Sequence, residues 1–139
     1  MAGMKLNPHL SFGGQCEAAV RFYEQILGGQ IVTMLKYGDS PMADPAKPEM
    51  RDKILHATMK LGESTLVGAD VEPGQYTPPK GFHLLLGIAD PAEAERVFHA
   101  LAENGKVIMP IQKTFWALRF GVLVDRFGVP WEINCEQTA

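Results

Sequence analysis

"DPAEAERVFHALAEN", residues 90–104, reads as a helix with both ends marked. Asp90 suits the N-cap, Pro91 the first helical position, and Glu93 completes an acidic variant of the capping box. Ala94, Val97, Phe98 and Leu101 fall on one face, and Gly105 follows the end. The device occurs twice. Residues 15–27, "QCEAAVRFYEQIL", put Ala19, Phe22, Tyr23, Ile26 and Leu27 at helical spacing before Gly28-Gly29 stops the helix. Slid by 76 residues the two stretches overlay: Glu17 meets Glu93, Ala18 meets Ala94, Phe22 meets Phe98, Gly29 meets Gly105 and Ile31 meets Val107.

Working outward, each helix follows one strand-like segment, "MKLNPHLSF" or "GFHLLLGI", and precedes three more. These are "QIVTMLKY", "ILHATMKL" and "STLVGAD" in the first half, and "KVIM", "FWALRFGVLV" and "VPWEINC" in the second. The order β-α-β-β-β, twice, is an internal repeat and predicts an α+β chain of two such modules. One domain is expected, with module one at 1–70, a linker at 71–80 and module two at 81–139. The loops "GDSPMADPAKPEMRD" and "VEPGQYTPPKG" are rich in Pro and Gly. The second links the halves, and the length of the first suits a segment that covers a site.

Composition narrows the function classes. The 139 residues are 46% hydrophobic and 21% charged, with a formal net charge of -3, the profile of one globular domain with a real core. Only 13 Lys plus Arg in a mildly acidic chain argue against a nucleic-acid partner. Nothing approaches the roughly 18 consecutive apolar residues of a membrane helix. "MAGMKLNPHL" lacks the apolar core of a signal peptide. Cys16 and Cys135, far apart and without CxxC spacing, read as reduced thiols of a cytosolic protein.

Strand alternation sorts the side chains by face. Leu6, Pro8, Leu10 and Phe12 oppose Asn7, His9 and Ser11; Phe82, Leu84, Leu86 and Ile88 oppose His83, Leu85 and Gly87. Leu55, Ala57, Met59 and Leu61 oppose His56, Thr58 and Lys60; Val129, Trp131, Ile133 and Cys135 oppose Pro130, Glu132 and Asn134. With helices over the apolar faces, the other faces are expected to curve into a shared cleft lined by His9, His56, His83 and Glu132. Phe115, Trp116, Phe120 and Trp131 either stack a flat ligand or fill the core, with core favoured for Trp131. Arg119 either holds an anionic substrate or sits in a solvated or intermolecular ion pair. Tyr23 and Met59 read as core, His99 as an exposed helix residue, and Asp125 with Gly128 as a turn.

The segments "PHLSFGGQCEAAVRFYEQILGG", "ILHATMKLGES" and "TFWALRFGVLVDRFGVPWEINCE" resemble the vicinal oxygen chelate superfamily (glyoxalase, bleomycin-resistance and dioxygenase proteins). Within it the chain is most similar to the PhnB-like, demethylubiquinone methyltransferase-like family, over nearly its whole length. The resemblance implies a cupped, partly open β-barrel and a homodimer in the cytoplasm. In glyoxalase-type relatives the metal takes one ligand from the first strand and one from the last strand of each half. Carried over, His83 and Glu132 match the second half's ligands, and His9 shares the right face in the first half, although the aligned position is nearer Asn7. The fourth ligand has no counterpart in "STLVGAD", and PhnB-like chains usually carry a hydrophobic residue where Glu132 stands.

The resemblance therefore implies a divalent metal (Zn, Ni, Mn or Fe) on His9, His83 and Glu132, in a lyase-, isomerase- or dioxygenase-type enzyme acting on a small oxygenated substrate. Glu132 and His56 are its candidate catalytic groups, with His56, Arg119, Trp116 and Phe120 contacting substrate. The alternative is a metal-free protein that sequesters a small molecule, as bleomycin-binding relatives do. No nucleotide cofactor is expected. The glycine-rich turn and doubly wound sheet that a nucleoside methyl donor usually needs are missing from the pattern, which argues against methyl transfer.

Overall fold

The computed structural model describes residues 3–136. Two compact units divide the chain, one running to Tyr76 and the other starting at Thr77. In the first, β1 (His9–Phe12), α1 (Cys16–Leu27), β2 (Gln30–Lys36), β3 (Ile54–Leu61) and β4 (Ser64–Asp70) form one helix on a four-stranded sheet of order β1-β4-β3-β2. In the second, β5 (Leu84–Gly87), α2 (Pro91–Ala102), β6 (Lys106–Gln112), β7 (Ala117–Val124) and β8 (Pro130–Glu136) repeat it as β5-β8-β7-β6. Each sheet has one parallel pair, β1 with β4 or β5 with β8, and is otherwise antiparallel. This is the expected α+β pattern of two βαβββ units.

α2 has the ends its sequence announces. Asp90 accepts a hydrogen bond from the Glu93 N–H at 3.3 Å, and Ala94, Val97, Phe98 and Leu101 are buried. The Glu93 carboxylate pairs with Arg96 rather than closing the capping box. α1 differs from expectation: its buried stripe is Cys16, Ala19, Val20, Tyr23 and Ile26, while Phe22 and Leu27 are half-buried. Its N-cap, Gln15, makes no side-chain cap. The buried Asp70 of β4 takes that role, accepting the N–H groups of Gly14 and Cys16, both at 2.9 Å.

β1 is shorter than the alternation suggests. Its partner registers run only from His9 opposite Val67 to Phe12 opposite Asp70, so Leu6 lies outside the sheet and is fully exposed. β6 extends past Pro110 to Gln112 as the edge strand, where a missing N–H costs no ladder bond.

Both cysteines are free and buried. Burial first, then the charges of Asp70 and Glu17, push the Cys16 thiol from 9.0 to about 12. Below pH about 9 the thiol is protonated whether folded or not; between about 9 and about 12 only the unfolded chain ionises, so stability is lost across that window. In a Cys135→Ser background, Cys16 is expected to resist a thiol reagent at pH 8 until urea unfolds the chain. The alkaline fall in urea midpoint should shrink in Cys16→Ala. Rapid labelling of the folded protein would contradict this.

Candidate functional site

The face of each sheet opposite its helix can be read strand by strand from the registers. In the first unit one row runs His9, Val67, Thr58, Thr33 across β1, β4, β3 and β2. In the second unit the topologically equivalent row is Leu85, Glu132, Val122, Met109. The fold thus repeats while the chemistry does not: the first unit has a histidine where the second has Leu85, and Val67 where the second has Glu132. His83 immediately precedes β5, and alternation carried back from Leu85 assigns it to the Glu132 face; its counterpart in the first unit is Asn7.

The next row of the second unit is Gly87, Asn134, Phe120, Gln112. His56, beside Leu35 and exposed, takes in the first unit the place that Phe120 takes in the second. The Phe120 ring meets Trp116 edge to face at 5.3 Å, and Trp116 meets Phe115 at 4.8 Å. Trp116 and Phe115 precede β7 and are 47% and 90% exposed, so this aromatic ladder is wet surface rather than core. Trp131 is core, with its indole N–H donating to Asp125 at 2.9 Å.

Asn134 carries the clearest unmet demand: its Oδ1 is buried and has no hydrogen-bond partner among the described residues. An orphaned buried acceptor costs free energy unless something donates to it. Beside it, Gly87 leaves open space where a side chain would stand. Sequence reasoning placed Asn134 on the Glu132 face but assigned it no function; the period-2 pattern held that signal.

The remaining sequence candidates fall elsewhere. Arg119 is in register with Cys135, on the helix-facing side, and its guanidinium lies 3.5 Å from Glu95 of α2. The ion-pair alternative describes that placement. Asp125 closes the turn into β8, accepting the N–H groups of Phe127 and Val129. In the first unit the Tyr37 hydroxyl donates to the Asp70 carbonyl at 2.7 Å; burial, then Asp70 and Glu72, raise its pKa above the usual 10.0.

For a divalent metal, the second unit's open face supplies the Glu132 carboxylate, with His83 assigned to that face by alternation alone, and the equivalent first-unit positions, Asn7 and Val67, supply no matching pair. Among the described residues no group of three or more His, Cys, Asp or Glu is gathered to hold a metal ion. Structural zinc sites use four such ligands and catalytic ones three. The donor set is incomplete as it stands.

Two βαβββ units, each with one helix-free sheet face, define the glyoxalase/bleomycin-resistance class of fold. A glyoxylase/bleomycin resistance protein/dioxygenase domain from Frankia sp. EAN1pec superposes with a TM-score of 0.68 at 15% identity, covering 99% of both chains, a likeness of fold alone. Within that class the chain belongs to the family described as 3-demethylubiquinone-9 3-methyltransferase, whose model matches residues 4–134. It is 36% identical to protein YjdN of Escherichia coli K12, over 94% of this chain and 95% of that one. It is also similar to protein PA1353 from Pseudomonas aeruginosa (44% identity, TM-score 0.89, covering 98% and 100%). A PhnB protein from Bacillus cereus matches at 27% identity and a TM-score of 0.78, covering 95% and 99%.

Proposed function

We propose that the open sheet face of the second unit binds a small oxygenated molecule with a flat apolar body. The observation that carries this reading is the unsatisfied Asn134 Oδ1 beside Glu132 on β8, with Phe120 and Trp116 adjoining. Two acceptors two residues apart on one face call for a ligand that donates, and hydroxyl groups do so. The aromatic edges offer the ring a stacking surface. His83, just before β5, adds a further polar group. Arg119 is left out, being engaged with Glu95. Methyl transfer is also left out, because each sheet is a mostly antiparallel four-stranded one rather than the doubly wound sheet on which nucleoside methyl donors usually sit.

A second reading, a metal-assisted lyase, isomerase or dioxygenase, is supported by Glu132 on the second unit's open face and by the alternation that assigns His83, just before β5, to the same face. It assigns His83 and Glu132 as donors. Zn, Ni, Mn or Fe bound there would supply Lewis acidity toward a substrate oxygen. Because the gathered donors fall short, the binding reading is the conclusion.

One experiment separates the two. Catechol is titrated into untagged protein by Trp fluorescence, with elemental analysis alongside. Saturable quenching is expected, weakened about tenfold in Glu132→Ala and in Asn134→Ala, the effect of one lost charged or buried hydrogen bond. An affinity unchanged from that of the unsubstituted protein in both variants would overturn the assignment. About one metal ion per chain, lost in Glu132→Ala, would move the conclusion to the enzyme.

A further inference from the structure

The long loop between β2 and β3 borders a solvent-open cavity of about 670 Å³ against the segment after β4, entirely within the first unit. That volume falls within the roughly 300–1,000 Å³ of small-molecule sites. The cavity is bounded by structured backbone. One 3₁₀ turn, Tyr37–Asp39, opens the loop and another, Pro48–Met50, closes it. At its neck the Tyr37 and Gly38 N–H groups donate to the carbonyls of Lys53 and Arg51 at 2.9 and 2.8 Å. Gly38 permits that closure, since a Cβ there would lie 2.6 Å from the Arg51 side chain and 2.9 Å from its carbonyl oxygen. The Lys47 ammonium pairs with Glu72 and straps the loop to the segment after β4.

The lining combines an apolar body with one free cation. Met42, Pro45, Met50 and Val71 supply aliphatic surface. Of the charged lining groups, Lys47 and Glu72 satisfy each other and the Asp44 carboxylate accepts the Ala46 N–H at 2.9 Å. Among the described residues no hydrogen bond or ion pair engages the Arg51 guanidinium, the remaining charge on the wall. A guanidinium presents a planar fork matched to a carboxylate.

We propose that this cavity is a second ligand site, taking a small carboxylate with an apolar tail, anchored by Arg51. It is separate from the open sheet face of the second unit and does not depend on what binds there. The other charged groups on the wall, Lys47, Glu72 and Asp44, leave one negative charge in excess, so selectivity for the anion rests on Arg51 rather than on a general positive field. The Lys47–Glu72 pair sets the strength: releasing Lys47 from Glu72 adds a second cation to the wall.

The probe is 4-phenylbutyrate, followed by amide chemical shifts in ¹⁵N-labelled protein, with neutral 4-phenylbutanol as its control. Expected are saturable shifts at Gly38, Lys47, Arg51 and Val71, with none at Leu85 or Glu132. Arg51→Gln should weaken 4-phenylbutyrate about tenfold, the cost of one charge-assisted hydrogen-bonded contact, while leaving 4-phenylbutanol unchanged. Glu72→Gln should tighten the carboxylate by about threefold or more as Lys47 is freed. Arg51 is exposed, and the variant's amide spectrum reports whether it is folded. Shifts centred on the second unit, absence of saturation, equal binding of the alcohol, or an unchanged affinity in Arg51→Gln would each overturn the site.

Discussion

Asp70→Ala is expected to destabilise the first unit by about 3–5 kcal/mol, the range for breaking a buried charged network by removing one member. The carboxylate is 1% exposed and accepts three backbone N–H groups: Gly14 and Cys16 through Oδ1, and Ile54 through Oδ2, each at 2.9 Å. It therefore joins the end of β4 to the start of α1 and the start of β3. A carboxylate at a helix N-terminus also meets the positive end of the helix dipole. Alanine leaves donors at Cys16 and Ile54 buried with nothing to accept them, whereas asparagine keeps one acceptor oxygen and should fall between. Urea unfolding gives the total, and amide exchange locates it. Protection should drop in α1 and β3 and hold in β7 and β8. A loss below about 1 kcal/mol would mean that water reaches these N–H groups.

That network shows what the sequence could not display. Asp70 ends a strand-like run, "STLVGAD", and nothing in a local pattern tells a strand end from a cap for a helix 54 positions earlier. Asp125 is similar: its position before Gly128 marks a turn, but its bond to the Trp131 indole depends on how tightly that turn closes. Patterns of short period were legible. The 3.6-residue stripe of α2 came through residue for residue. On α1 the absence of a side-chain cap went with a stripe rotated toward Cys16 and Val20. Period-2 alternation placed Glu132 and Asn134 on one face of β8; that Phe120 joins them comes from the β7–β8 register, which is regular from Arg119 onward. Of the loop cavity only the loop's length was legible: its walls come from 3₁₀ turns and a Lys47–Glu72 strap across 25 positions, and neither has a period.

The repeat itself yields the other large effect. Gly29 and Gly105 overlay when the chain is slid by 76, and a helix-stopping role accounts for a glycine after each helix but not for its exact match. In the structure each lies under a carbonyl of the neighbouring strand. A Cβ on Gly29 would stand 2.9 Å from the Lys60 oxygen and 3.0 Å from the Met59 sulfur. A Cβ on Gly105 would overlap the Val124 carbonyl oxygen and lie 2.9 and 3.0 Å from the Asp125 backbone. Met59 is the end of a flexible side chain and can yield; the Gly105 neighbours are all backbone, held by β7 and the Asp125 turn. Gly105→Ala should therefore cost about 3 kcal/mol or more, and Gly29→Ala about 1–2 kcal/mol, within and at the upper end of overpacking penalties. Denaturant midpoints of the two variants measure the difference. An equal cost at both positions would mean that the α2–β6 connection shifts as a body to admit the methyl group, and that the second unit is the more pliant at this junction.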